Sequence, residues 1–429
     1  MDSHNISQEA LALQAIQNKL IGKKLTYKEI FAVMDEMAHE RLGDILTTYF
    51  AASGYSKGFT DEEVYFLTKA MIETGETLQF KGIVADKHSI GGVPGTRTSM
   101  IVVPIIAAAG FTIPKSSSRA ITSPGGTADD MEVLAPVTYD KKEIYKIVEK
   151  TNGCIVWGGG VDIAPADDVL IKVEEPLLLE SYDKFLVSIM AKKIAFGSNH
   201  IIIDLPYGKH VKVHKLEDAN LVKRKFLYLA KRFNVKLYVN VHETEEPAGR
   251  GIGPLLETKE ALKVLEQRED RPMDLEKRAI FLGGTLLDLC LEDADKELKS
   301  RIASEFGSGT KWAEYILESG HALAKMREII KAQGGNSAIM SNDLKPGKHK
   351  YDVIAKRSGT VKSIHSKNVT ILAKILGAPA HKKSGLYLYQ KMGEKVITGK
   401  PMFTLYSEQE YNLKEAIDSL SQFPVLEFE

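Results

Sequence analysis

From about Lys81 onward, short apolar runs alternate with helical stretches, and this alternation restricts the chain to an α/β sheet built on parallel strands. Cys154–Trp157, His200–Asp204 and Lys236–Asn240 read as buried strands, with a helical segment over Leu216–Phe233 between the last two. The apolar run from Met100 to Ile113 reads as a buried helix. At 14 residues, with Pro104 inside it, it is too short to span a bilayer.

The chain before this point is helical. Thr26 and Glu29 form a capping box with Leu25 and Ile30 as its staple, and Thr60 and Glu63 repeat the device with Phe59 and Val64. A third character begins after Gln333–Asn336. Gly359–Val361, Val369–Leu372, Gly385–Leu388, Gly393–Ile397 and Pro401–Leu405 read as short β runs with turns. The expected fold is a multidomain α/β protein. Residues 1–80 form a helical domain on which 165–195 packs. Residues 81–335 form a mixed or parallel-sheet α/β domain, and 336–429 a small C-terminal α+β domain.

Composition removes several function classes. The 57 basic and 57 acidic residues balance, which argues against a chain-wide basic footprint for nucleic acid. Two cysteines, Cys154 and Cys290, make neither a disulfide framework nor a zinc cluster, and they suit a reducing cytoplasm. The polar N-terminus lacks the apolar core of a signal peptide. A cytoplasmic location is therefore expected, with neither nucleic acid nor membrane as a partner.

Two segments carry anion chemistry. Asp86–Ser99 joins a short apolar run to an apolar helix through Gly91, Gly92 and Gly95. A strand, a glycine-rich turn and a helix start direct backbone N–H groups at an anion. Lys87 adds charge, and Ser89, Thr98 and Ser99 add hydroxyl donors. The segment is neither a Walker A loop nor a dinucleotide fingerprint. Read blandly, it is a tight turn. In the second segment, Ser116–Thr127, six hydroxyl residues, Arg119 and a Gly-Gly pair fall within twelve positions, with Asp129 opening the next helix. Alone it is a polar linker; two such loops at strand ends suggest a ligand with at least one phosphate. A third segment, Trp157–Asp168, reads as a glycine turn and a solvated acidic helix start, with metal binding by Asp162, Asp167 and Asp168 as the sharper reading. Lys391-Met392 is discounted as a carrier lysine, and His210 with His214 as a zinc motif.

Asp86–Gly92 and Ser118–Asp129 resemble the signatures of the thymidine/pyrimidine nucleoside phosphorylase family, and most closely its AMP phosphorylase branch. Ala164–Asp168, Ser188–Lys193 and Leu376–Ala380 extend the resemblance over nearly the whole chain. It implies a helical domain, a larger α/β domain and a small C-terminal domain, assembled as a homodimer, and a phosphorolytic enzyme with inorganic phosphate as co-substrate and no cofactor. Phosphate attacks the sugar C1 and the base leaves. A nucleoside 5′-monophosphate would give ribose 1,5-bisphosphate, and a nucleoside a sugar 1-phosphate.

Residue by residue, the resemblance places Lys87, Ser89, Ser99, Ser117 and Thr127 around phosphate. It places Gly92, Ser118, Arg119, Ala120, Ile121, Thr122, Ser123, Thr127, Ser188, Lys192 and Lys212 around the nucleotide. The branch's proton donor is an Asp; Glu180 stands at that position here, and His88 is the competing acid. The Arg and Tyr with which thymidine enzymes read a pyrimidine fall on Val173 and Leu170, and the loop Val93–Ser99 is one residue longer, as in the AMP branch. The branch's extra N-terminal domain is not expected in this chain. No metal is assigned; a structural potassium ion, a feature of some members, would fall near Ala248 and Glu257. Three alternatives stand beside AMP phosphorolysis: a thymidine or pyrimidine nucleoside phosphorylase, a magnesium-dependent phosphoribosyltransferase, and a nucleotide-binding module without catalysis.

Overall fold

The computed structural model describes residues 7–120, 123–174, 177 and 181–429. Helices α1 (Gln8–Leu20), α2 (Tyr27–Ala38), α3 (Gly43–Lys57) and α4 (Asp61–Glu73) come first. Strand β1 (Ala85–Ser89), α5 (Ser99–Ala108), β2 (Ile113–Ser117), α6 (Thr127–Glu132), α7 (Lys141–Thr151) and β3 (Gly153–Trp157) follow. Next come α8 (Pro165–Glu174), α9 (Tyr182–Ala195), β4 (His200–Tyr207), α10 (Leu216–Arg232), β5 (Lys236–Glu243) and β6 (Gly251–Ile252). Helices α11 (Pro254–Leu265), α12 (Met273–Leu291), α13 (Lys296–Glu305), α14 (Gly309–Glu318) and α15 (His321–Ala332) then run in sequence. The C-terminal region holds β7 (His349–Ile354), β8 (Gly359–Ile364), α16 (Ser366–Ile375), β9 (Gly385–Leu388), β10 (Lys395–Val396), β11 (Pro401–Ser407), α17 (Glu410–Asp418) and β12 (Leu426–Phe428).

The chain divides into two units. The first takes the residues up to Gly82 together with Gly158–Asn199 and Leu221–Leu237. Both capping boxes read from the sequence are present: the Thr26 and Glu29 pair opens α2, and the Thr60 and Glu63 pair opens α4. Their staple residues Leu25, Ile30, Phe59 and Val64 are buried. Glu63 also accepts from the buried Lys19 ammonium at 2.8 Å and from the Leu25 N–H at 3.0 Å, so a cap that begins as local chemistry also ties α1 to α4. Helix α8 packs on α2 and α3, and α9 on α4.

The second unit carries the sheets. Strand β1 pairs in parallel with β4, and β2 with β3. A parallel bridge from Val84 to Thr112 joins the two pairs. Strand β5 lies beyond β4. The Lys236 N–H donates to the Asn199 carbonyl and the Thr244 N–H to the Tyr207 carbonyl, each at 2.9 Å, so these two strands also run in parallel. The chain thus builds outward from β1 in one direction through β2 and β3, then returns to add β4 and β5 on the other side. The reversal lies between β1 and β4, and open α/β sheets bind ligands in the crevice at the carboxyl ends of such strands.

The apolar run from Met100 splits differently from the sequence expectation. Helix α5 ends at Ala108, and Ile113 opens strand β2. Gly110, at φ +94°, takes the left-handed turn between them. A second difference lies in the C-terminal region, where Val369–Leu372 is helical rather than β. Val369, Leu372, Ala373 and Leu376 are buried at spacings of three, four and seven, so one helical face outweighs the β-branched bias of the run. The remaining C-terminal runs are strands. They form a four-stranded sheet, β6-β9-β11-β7, and a three-stranded one, β10-β8-β12. Strand β6, from the Gly251–Ile252 segment, is therefore an edge of a C-terminal sheet.

Candidate active site

Lys87 lies within β1, not on the glycine loop where the sequence placed it. Strand alternation puts Lys87 and Ser89 on one face and Asp86 and His88 on the other. Lys87 is 1 % exposed. Its ammonium donates to Ser89 Oγ at 2.6 Å, to Thr98 Oγ1, and to Ser99 Oγ at 3.4 Å. Thr98 and Ser99 begin α5, so the lysine charge and the helix N-terminus converge on one spot, where an anion is favoured.

The registers align the other hydroxyls with this point. Ser89 pairs with Asp204, and Ser117 with Trp157. Carried along β1 and β2 from the Val84–Thr112 bridge, the register sets Ser89 level with Ser117. Trp157, Ser117 and Ser89 therefore form a row across the carboxyl ends of β3, β2 and β1, and the row continues onto β4 at Asp204. Gly92, at φ +105°, brings the glycine pair against the Val211–Lys212 backbone; a side chain there would stand 3.0 Å from the Lys212 nitrogen. Lys212 and Gly92, two of the expected nucleotide residues, are thus neighbours.

The Ser116–Thr127 segment closes around Asp129. That carboxylate accepts from the Ala120 N–H at 2.7 Å and the Gly126 N–H at 3.1 Å, and pairs with Lys382 at 2.7 Å. Arg119 holds Glu132 with two nitrogens, at 2.6 and 2.7 Å, and lies 5.1 Å from the Trp157 ring. These pairings hold the Glu132 carboxyl at about 2, with the Arg119 hydrogen bond as the largest cause. Ser123 Oγ donates to the Gly125 carbonyl at 2.8 Å. Ser118 is exposed, and Thr127 opens α6. Ile121, Thr122 and Glu180 lie outside the described residues.

Ser188 and Lys192 belong to the helical unit, one turn apart on α9. Ser188 Oγ donates to Asp167 at 2.6 Å, and Lys192 pairs with Asp167 at 2.7 Å and with Asp168 at 3.3 Å. Burial pushes the Lys192 ammonium down, but the two aspartates outweigh it and raise it above the ordinary lysine value. This corrects the bland reading of Asp167 as a solvated helix start: it is buried and orients two of the expected nucleotide residues. Lys391 is also buried, with its ammonium on the Pro247 carbonyl, so it is no carrier lysine. His210 packs edge-on against His365, with ring centroids 6.0 Å apart.

Sequence reasoning missed the partners of Asp204. Arg278, from α12, pairs with it; His242 Nε2 lies 3.2 Å away, Asn240 donates at 3.1 Å, and Ser89 donates at 3.4 Å. Burial alone would raise the Asp204 carboxyl, but His242, Arg278 and Lys87 together outweigh it and hold the group at about 2. Asp204 therefore stays ionised and fixes Ser89 beside Lys87. A carboxylate directly after the apolar run Ile201–Ile203 is the only local signal for it.

Residues 81–323 match the glycosyl transferase family a/b domain, 13–75 the helical bundle domain of the same family, and 360–423 the pyrimidine nucleoside phosphorylase C-terminal domain. An AMP phosphorylase of Thermofilum pendens is 43 % identical over 94 % of this chain and 76 % of its own length. One from Methanocaldococcus jannaschii is 42 % identical over 96 % of this chain and 79 % of its own. Among solved structures, anthranilate phosphoribosyltransferase from Thermus thermophilus is similar in fold, with a TM-score of 0.60 at 16 % identity over 75 % of this chain and 99 % of its own. The chain belongs to the glycosyl transferase family that these domain models describe, with AMP phosphorylases among its relatives.

Proposed function

We propose that this protein is a pentosyltransferase that cleaves nucleoside 5′-monophosphates by phosphorolysis, converting AMP and inorganic phosphate to adenine and ribose 1,5-bisphosphate. The observation that carries the reading is the convergence of Lys87, Ser89, Thr98 and Ser99 at the reversal point of the sheet, in a chain about 40 % identical to AMP phosphorylases over nearly its whole length. Attack at C1 needs a phosphate dianion held and partly desolvated, and a buried ammonium with hydroxyls and a helix start supplies that. Ser117 and Thr127 complete the phosphate site. Gly92, the Ser118–Ser123 run and Lys212 take the nucleotide, a role that the family resemblance also gives to Ser188 and Lys192. The protein works as a homodimer in the cytoplasm, without a cofactor. Among the described residues no helix is long and apolar enough to cross a membrane.

The C-terminal match to pyrimidine nucleoside phosphorylases favours, as a second reading, a nucleoside without a 5′-phosphate as substrate. Against it, Leu170 and Val173 are buried apolar side chains on α8, where thymidine enzymes place polar readers of the pyrimidine. Release of free base from AMP, adenosine and thymidine, with and without phosphate, separates the readings. AMP should exceed both nucleosides in kcat/KM by about tenfold or more, because charge-assisted bonds to a remote 5′-phosphate orient C1. A tenfold thymidine preference establishes the second reading, and base release driven by pyrophosphate rather than phosphate a phosphoribosyltransferase.

Glu180 is the proton donor to the leaving base in this reading. An ordinary Glu titrates near about 4.3 and is ionised at neutral pH, so the bound phosphates must raise it. Glu180→Gln should lower kcat by about a hundredfold and leave the phosphate KM little changed. Normal turnover in that variant, with loss of the alkaline limb on His88→Asn, transfers the role to His88.

A further inference from the structure

Arg97, between the glycine loop and α5, is fully buried and takes no part in the phosphate contacts described above. Its Nη1 donates to three backbone carbonyls: Gly95, Ala248 at 2.9 Å, and Gly251 at 3.1 Å. Its Nη2 pairs with Glu260, which also accepts from the Gly251 N–H at 3.0 Å and the Arg250 N–H at 3.3 Å. Gly95 and Gly249 line the guanidinium at φ +78° and +96°. A Cβ on Gly249 would overlap the Arg97 fork, and one on Gly95 would stand 2.6 Å from Nη1 and 2.7 Å from the Ala248 carbonyl. Two left-handed glycines thus leave space for one planar cation.

The segment that supplies those carbonyls is itself held from the C-terminal sheets. Lys391 donates to the Pro247 carbonyl and to that of Gly249 at 3.3 Å. Arg250 reaches the Tyr389 carbonyl at 2.5 Å and Glu394 at 2.6 Å, and the Leu388 N–H donates to the Arg250 carbonyl at 2.8 Å. Arg97 is thus the last link in a chain running from β9 through residues 247–251 to the loop that presents Thr98 and Ser99 to Lys87.

The same place is where the family resemblance would put a potassium ion, near Ala248 and Glu257. The residues do not fit one. The Ala248 carbonyl, together with those of Gly95 and Gly251, is already taken by a guanidinium. Asp130 and Glu257 are buried close by, and the Arg97 guanidinium already supplies positive charge beside both.

We propose that Arg97 is a positioning residue, a built-in cation that ties the phosphate loop to residues 247–251 and makes phosphate binding independent of monovalent metal ions. The proposal rests on the phosphate-site reading, so its test measures inorganic phosphate binding directly, by calorimetry, apart from turnover. For the wild type, exchanging potassium and sodium for tetramethylammonium should leave phosphate affinity and melting temperature unchanged. Arg97→Ala in tetramethylammonium buffer should bind phosphate about tenfold or more weakly, the scale expected when a binding group is misplaced. Potassium or methylguanidinium should restore most of that affinity and raise the melting temperature of the variant. If Arg97→Ala does not fold, Arg97→Lys carries the test: it keeps the charge, loses the two-nitrogen fork, and should also bind phosphate more weakly. Wild-type phosphate affinity in whichever variant folds overturns the proposal, as does a tenfold loss in the wild type when potassium is removed. A wild type that binds phosphate without metal but does not cleave AMP refutes the phosphorylase reading and leaves the role of Arg97 standing.

Discussion

Lys87→Met should lower kcat/KM for phosphate by about a thousandfold, the upper range for removing one donor aimed at developing or transferred charge. The ammonium is buried and holds three hydroxyls around one point, so its loss removes the charge and releases Ser89, Thr98 and Ser99 together. Water cannot replace it without opening the packing of β1 on α5. Stability should change little, because the hydrogen bonds described for the ammonium go to hydroxyls, Ser89 keeps Asp204 as its acceptor, and Asp204 keeps Arg278 and His242 beside it. The two readouts therefore diverge: phosphate binding collapses while the melting temperature holds. A phosphate KM within twofold of wild type would remove Lys87 from the site, and a collapse in melting temperature would show that the lysine acts on the fold.

What the sequence made legible follows from the range of the interaction involved. The capping boxes at Thr26 and Thr60 are complete within three residues, and a staple adds one residue on either side; nothing distant decides them. The buried strands at Cys154 and His200 were legible for a related reason, since an uninterrupted apolar run suits a strand covered on both faces. Val369–Leu372 failed because four residues are too short to separate a strand from one face of a helix; the deciding residues, Ala373 and Leu376, lie just beyond the run. Lys87 reads as part of the loop because polar residues end the apolar run Ile83–Ala85, yet a strand beside a ligand site carries its chemistry on its own last residues. The largest omissions were ion pairs and hydrogen bonds closed over long separations. Arg278 is 74 residues from Asp204, and Ala248 is 151 from Arg97, so no local pattern connects them. Only the family resemblance reached that far, and it did so by known function, without the partners that hold each residue in place.

Asp204 offers the sharpest test of those long-range pairs. Asp204→Ala should destabilise the protein by about 3–5 kcal/mol, the usual result of deleting one member of a buried charge cluster. Arg278 and His242 lose their shared acceptor, and Ser89 loses the oxygen that orients it beside Lys87. Phosphate affinity should fall as well, because a Ser89 hydroxyl free to rotate no longer presents a fixed donor. The pH dependence has a definite sign. The folded carboxyl is depressed to about 2, whereas an unfolded Asp titrates near about 3.9. Its contribution is therefore complete above about pH 4 and is lost as pH falls through the folded value near 2. Denaturation followed from pH 7 down to pH 2 should show the wild type and Asp204→Ala converging only at the acid end, where the native carboxylate is protonated. Asp204→Asn separates charge from shape: it can still accept from Ser89 and Asn240 but cannot balance Arg278. If Asp204→Asn keeps phosphate affinity and loses stability, the carboxylate serves the fold through Arg278. If it loses both, the charge itself sets Ser89 and Lys87 for the anion, the outcome that the 3.4 Å Ser89 hydrogen bond and the depressed carboxyl together lead us to expect.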